Sequence, residues 1–235
     1  MKIKMPPKIL VGCPTSFHKE YALKQYVEAI KSLTYSSCDI LLIDNSRDHE
    51  YLYKIRDLKI PVAKGPYFDS ARDRIVASRN LLRKKALDED YDYFFSLEQD
   101  VLPPKDILEK LLKHNKKLIT AVYFAHNVLE NNSRELIPLV YKLSDPKTLS
   151  MRPLNENELW QKQGLQEIIS AGLGCLLIHK DVLKEIEFRY EKNSFDDRWF
   201  FIDCHKKNIK AFADTSIKCK HLIFNRTVPW SKIEK

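Results

Sequence analysis

Glycine is scarce, with 5 residues in a chain of 235. A loop that cradles phosphate through its backbone needs several glycines close together, and VGCPTSFHKE, after the first apolar run, holds only Gly12. That argues against a nucleotidyltransferase-type phosphate loop there. Cysteine is thin as well. Cys13, Cys38, Cys175, Cys204 and Cys219 are odd in number, scattered, and include no CxxC pair. Neither a disulfide framework nor a closed zinc site is expected, and the thiols read as reduced, small apolar residues of an intracellular protein. Cys204, His205, Cys219 and His221 lack the usual paired-cysteine half of a zinc site. No apolar run approaches the ~18 residues of a membrane-spanning helix, and MKIKMPPKILVG lacks the apolar core of a secretory signal. A cytoplasmic protein is expected, soluble or peripheral at the inner face of the membrane. Low-complexity tracts and internal repeats are also missing.

What is present is core-forming material: 44% hydrophobic and 11% aromatic residues, which excludes wholesale disorder. A single domain over 1–235 is expected. Forty Lys and Arg against 32 Asp and Glu leave a net charge of +8. That favours anionic partners such as phosphate esters or an acidic membrane surface. No basic stripe interleaved with exposed aromatics appears, so nucleic acid is not expected as a partner. The basic tail NRTVPWSKIEK hints at peripheral membrane contact.

Along the chain, KILVGCP (8–14), DILLID (39–44), YDYFFSL (91–97) and KLITAVYF (117–124) read as buried strands. Helical spacing recurs at 18–33, 48–57, 70–88 and after Pro104, with Asp69 a candidate cap for the third. KIPVAKG is strand-like. This alternation predicts an α/β fold with a mostly parallel central sheet and helices on both faces. Residues 126–167 lack a clear period and read as an insertion or lid in which LIPLVYKL is an edge strand. IISAGLGCLLIHKDVL (168–183) reads as a strand interrupted by Gly172 and Gly174 and then a helix. FDDRWFFIDCHKKN looks helical, and 209–224 supplies one or two late strands.

FFSLEQDVLPP (94–104) ends a buried strand on Glu98 and Asp100. Buried carboxylates are costly without a partner, and two of them at close range resist joint ionisation unless a cation compensates both. A divalent metal does so, with a diphosphate as its usual companion. In parallel sheets ligands bind beyond the carboxyl ends of the strands, and Asp44, Glu98 and Asp100 all fall at that edge.

These segments, in this order, resemble the GT-A type glycosyltransferases, particularly family 2. ILVGCPTS is similar to their opening strand, which implies nucleotide contact at Pro14 and Thr15. DILLIDNSRD resembles the strand whose acid, here Asp44, reaches the nucleobase. SRNLLRKKAL is similar to their Ala-Arg-Asn helix and places Arg79 and Asn80 near the nucleotide or its diphosphate. SLEQDVLPP stands where they have a DXD element. SAGLGCLLIHKDVL is like their acceptor-side segment. FDDRWFF is like the element that supplies the catalytic base, here Asp197 with Asp196 second, and KCKH is like their late metal-binding histidine. The resemblance implies a Rossmann-like GT-A sandwich and inverting transfer from a nucleotide-diphosphate sugar to a glycan, lipid-linked or protein acceptor. Asp100, Glu98 and His221 would hold Mn²⁺ or Mg²⁺, with the nitrogen ligand favouring Mn²⁺. Glu98 departs from the usual Asp by one methylene.

Plainer readings stand beside these. Asp44 caps a turn. Asp196 or Asp197 caps a helix. Arg72, Arg74 and Arg79 line a solvated face, the glycines mark a bulge, and Trp160, Trp199 and Trp230 are core or lid residues, with sugar stacking a secondary option for Trp199. A nucleotide- or glycan-binding module without catalysis, or a sugar nucleotidyltransferase, is the alternative function.

Overall fold

The computed structural model describes residues 5–128, 134–145, 150–191 and 194–223. The chain opens with β1 (Ile9–Thr15), α1 (Glu20–Lys31), β2 (Cys38–Asp44), α2 (Glu50–Asp57) and β3 (Val62–Lys64). Next come α3 (Ala71–Asp88), β4 (Tyr93–Leu97), β5 (Val101–Leu102), α4 (Ile107–Leu112) and β6 (Leu118–Val122). The polar stretch carries β7 (Phe124–Val128), β8 (Arg134–Pro138), β9 (Val140–Asp145) and β10 (Ser150–Pro153). The remainder is β11 (Leu165–Ile168), β12 (Ser170–Ala171), β13 (Cys175–His179), α5 (Lys180–Glu185), α6 (Asp196–Lys206), β14 (Ala211–Lys218) and β15 (Lys220–His221).

One sheet runs in the order β11–β14–β6–β13–β4–β1–β2–β3. All its strands point the same way except β13 and β11, so the sheet is mostly parallel. Alternating side chains give it two apolar faces. Ile9, Val11 and Cys13 of β1 and Phe95 of β4 pack under Tyr26 of α1, Ile55 of α2 and Leu108 of α4. Leu10 and Phe94 face the other way, toward Leu82 of α3, Leu183 of α5 and Phe200 of α6. Each large apolar side chain so buried stabilises the fold by roughly 1.5–3 kcal/mol. Exposed ion pairs such as Lys54–Glu20 contribute about 0–1 kcal/mol each, so the two cores dominate.

α3 shows why the site lies where it does. Its inward face is apolar near the C-terminal end, at Leu82 and Ala86, but polar toward the start, at Arg74, Ser78 and Arg79, all buried. The polar half reaches past the carboxyl edge of the sheet.

The structure differs from the sequence expectations in three places. Ser70, in extended conformation, caps α3 by accepting from the Asp73 amide at 3.4 Å; Asp69 instead offers its carbonyl to Arg74. The expected edge strand LIPLVYKL is split at Leu139, after Pro138 has removed a ladder donor. Its first part pairs with β7, and its second pairs with β10 and β12. The Leu139 amide donates to Tyr123 O (2.9 Å) and its carbonyl accepts from Gly172 N (3.0 Å). The strand expected over 117–124 ends at Val122 for the same reason, since Tyr123 leaves the sheet to make that bond. The strand expected within 168–183 is interrupted at Gly172 and Gly174, between β12 and β13, and the expected helix follows as α5. The basic tail, including Trp230, lies outside the described residues, and no described helix is long and apolar enough to cross a membrane.

Gly172 and Gly174 make room for Tyr123, whose hydroxyl accepts from Gly174 N at 2.8 Å. A Cβ on Gly174 would stand 2.7 Å from that hydroxyl oxygen and 3.1 Å from Val101 Cγ2. Gly174→Ala is expected to destabilise the protein by about 1–3 kcal/mol through overpacking. A shift in the chemical-denaturation midpoint checks it.

Candidate active site

Beyond the carboxyl ends of β1, β2, β4 and β6 lie two adjoining cavities. The first, about 60 Å³, is bordered by Pro14, Thr15, Lys19, Asn45 and Arg74. The second, about 310 Å³, is bordered by Tyr123, His126, Asp196, Asp197 and His221. Ile75, Arg79 and Glu98 line both, so they form the wall between them.

The turn after β4 brings the acids together. Val101 N donates to Glu98 O at 2.9 Å, and β5 pairs with β15, setting His221 opposite Val101. His221 Nε2 thereby comes within 3.5 Å of Asp100 Oδ2. Its Nδ1 lies 2.6 Å from Phe124 O, a carbonyl that can only accept. Nδ1 therefore donates to that carbonyl, and Nε2 is the nitrogen that faces Asp100. That Nε2 is buried and has no hydrogen-bond partner.

Asp100 is fully buried. Lys19 Nζ stands 2.5 Å from its Oδ1, and Tyr21 donates to its Oδ2 at 2.7 Å. Burial alone would raise the Asp100 carboxyl, but Lys19 and His221 outweigh it and hold it well below the usual carboxylate range. Glu98 is also held low against burial by Lys19 and Arg79. Its Oε2 lies 3.7 Å from Lys19 Nζ and its Oε1 accepts from Arg79 Nη2 at 2.8 Å. Gln99, between the acids, anchors the β1 turn. It accepts from the Thr15 hydroxyl and donates to Lys19 O (2.7 Å) and Tyr51 (2.6 Å).

Arg79 is the hub. Its Nη1 donates to Ser96 Oγ (2.7 Å), Nη2 to Glu98, and Nε lies 2.7 Å from Asp196 Oδ2. Asp196 is thus buried and ion-paired, whereas Asp197 is partly exposed. Burial and the neighbouring Asp196 charge push Asp197 up to about 6. Asp197 also borders a third cavity with Tyr141, Met151, Ser170 and Arg198.

The other expected residues divide. Pro14 and Thr15 border the first cavity. Asp44 lines neither cavity: its Oδ1 accepts from Ser46 N (2.9 Å), its Oδ2 meets Lys64 Nζ at 2.8 Å, and the next residue, Asn45, takes the cavity wall. Asn80 spends both ends of its amide on the Phe188 backbone, at 2.8 and 3.0 Å, clasping α3 to the segment after α5. Arg72 stacks on Phe195, 4.8 Å from the ring centroid. Trp199 lies beneath Arg189 with its Nε1 on Ser194. Lys19, Tyr21, Gln99 and Tyr123 escape the sequence reading. Only Gln99, inside the acid element, carried a positional hint.

Solved structures share this architecture. A197 from STIV aligns at 16% identity and TM-score 0.51 over 93% of this chain and 87% of that one. S. aureus TarS aligns at 13% identity and TM-score 0.55 over 88% of this chain, but over only 34% of TarS. Both are glycosyltransferases, A197 of the GT-A type and TarS of family 2. The likeness shows that this chain has the GT-A fold. No protein-family model matches the chain, and no curated protein matches it in sequence.

Arg79→Met would strand Asp196 as a buried, uncompensated charge. Removing one partner of such a pair costs about 3–5 kcal/mol, and equilibrium unfolding monitored by circular dichroism is expected to show a loss of that size.

Proposed function

We propose that the protein is a glycosyltransferase that moves a sugar from a nucleotide-diphosphate donor to a hydroxyl of a glycan, lipid-linked or protein acceptor. The observation that carries this reading is the second cavity, where a carboxylate of pKa about 6, Asp197, shares one space with Glu98 and His221. The nucleotide-diphosphate lies across both cavities, the small first one taking only part of it, and the wall of Arg79 and Glu98 stands where the sugar meets its diphosphate. The acceptor approaches through the third cavity, which Asp197 borders as well.

Asp197 takes the proton from the acceptor hydroxyl as its oxygen attacks the anomeric carbon. The bond from that carbon to the diphosphate oxygen breaks, and the diphosphate leaves with the electron pair. A single displacement of this kind inverts the anomeric centre. Asp196 is the less suitable base because Arg79 already holds its proton-accepting oxygen.

The residues fit a divalent cation: Asp100 stands 3.5 Å from the buried Nε2 of His221, which has no hydrogen-bond partner, and Lys19 bridges Asp100 to Glu98. Asp100, Glu98 and His221 would hold Mn²⁺ or Mg²⁺, which supplies neutralisation of charge on the departing diphosphate. Among the described residues no group of three such side chains is already drawn together.

A panel of nucleotide-diphosphate sugars with Mn²⁺ tests the reading, with hydrolysis or transfer of at least one donor expected. Asp197→Asn is expected to lower kcat by about 10²–10⁴ while leaving donor binding intact. A base must be deprotonated to act, so wild-type kcat/KM is expected to rise with pH through about 6 and then level. Asp100→Ala and His221→Ala are each expected to abolish metal-dependent turnover. Full metal-dependent activity in either variant would remove the assigned site.

A further inference from the structure

Glu98 and Asp100 are not without a cation in this structure. Lys19 Nζ stands 2.5 Å from Asp100 Oδ1 and 3.7 Å from Glu98 Oε2, so one ammonium serves both acids. Its position is built. Lys19 closes the turn Phe17–Lys19 directly after β1, with its amide on Ser16 O at 2.8 Å. Gln99 holds the Lys19 carbonyl at 2.7 Å. The residue between the two acids therefore fixes the backbone of the lysine that neutralises them. The ammonium lies where a dication shared by the same two carboxylates would compete with it.

We propose that Lys19 is a resident cation of this site: its ammonium compensates the acid pair in the free protein, and a divalent metal enters by displacing it. This rests on the transferase reading above. Like charges at close range exclude one another, so the metal and the ammonium do not share the pair. Lys19 also borders the first cavity, so the displaced ammonium remains within the space assigned to the donor and has its phosphates as a new partner. Metal alone therefore binds weakly, and occupancy of the nucleotide cavity and of the metal site favour each other.

Isothermal titration of Mn²⁺ alone into the full-length protein tests this at pH 7.5. Lys19→Met is expected to bind Mn²⁺ at least tenfold more tightly than wild type. Lys19→Gln, which keeps a donor but no charge, carries the same expectation and guards against a failure of the methionine variant to fold. Lys19→Arg, which keeps the charge, is expected to stay within threefold of wild type. Adding Asp100→Asn to Lys19→Gln is expected to abolish the binding. Unchanged or weaker Mn²⁺ affinity in Lys19→Met and Lys19→Gln overturns the proposal, as does tightened binding that survives Asp100→Asn. Donor turnover by the wild type decides the parent reading separately. Turnover with unchanged metal affinity sinks the resident cation alone, whereas tightened affinity without any turnover sinks the transferase alone.

Discussion

The site depends on how three carboxylates, Glu98, Asp100 and Asp196, find cationic partners where the sheet ends. Asp100 and Asp196 are buried, and a buried charge without a partner costs several kcal/mol. Arg79 and Lys19 divide the task. A guanidinium presents donors in fixed, divergent directions, so one Arg79 spans from Ser96 in the sheet to Glu98 in the turn and Asp196 at the head of α6. Three segments far apart in sequence are thereby held in one register. A lysine has a single rotating head, which suits the narrower task of sitting between two acids and also makes it displaceable.

The same constraint explains why two adjacent aspartates differ. Asp196 takes the guanidinium, and Asp197, one residue on, gets the Arg198 amide at 2.6 Å and the repulsion of its neighbour. Burial raises both carboxyls, but the guanidinium opposes the rise at Asp196 and the Asp196 charge adds to it at Asp197. Sequence alone leaves the choice between them to analogy, because identity and position are nearly the same. The difference lies in α3, more than a hundred residues away.

Much of the fold is legible in the chain. β1, β2, β4 and β6 are continuous apolar runs because both sheet faces are covered, and α1 repeats its apolar residues at helical spacing. The region 126–167 is not legible: its strands are short, interrupted by Pro138, and face partners chosen by tertiary contacts. At the site, the acids and His221 are visible as residue types at strand ends. Lys19 and Gln99 are not, because a lysine in a turn and a glutamine between acids have no pattern of their own. Asp44 and Asn80 match motif positions and also carry local hydrogen bonds, Asp44 with Ser46 and Lys64 and Asn80 with the Phe188 backbone.

Charge at the site bears on what it accepts. The chain carries a net +8, yet around the two cavities Glu98, Asp100, Asp196 and Asp197 stand against Lys19, Arg79 and Arg74, and Arg74 is directed to the Phe68 and Asp69 carbonyls. The basic surplus is spread elsewhere. A diphosphate brought to this edge meets acids that its own charge repels, and Arg79 is fully engaged with those acids. A positive charge beyond the resident pair makes the site receptive to it. The Nε2 of His221 faces Asp100 at 3.5 Å, so a metal held beside that carboxylate would find a nitrogen ligand there. The imidazole thus gives the acid pair a role that charge compensation by Lys19 alone does not explain.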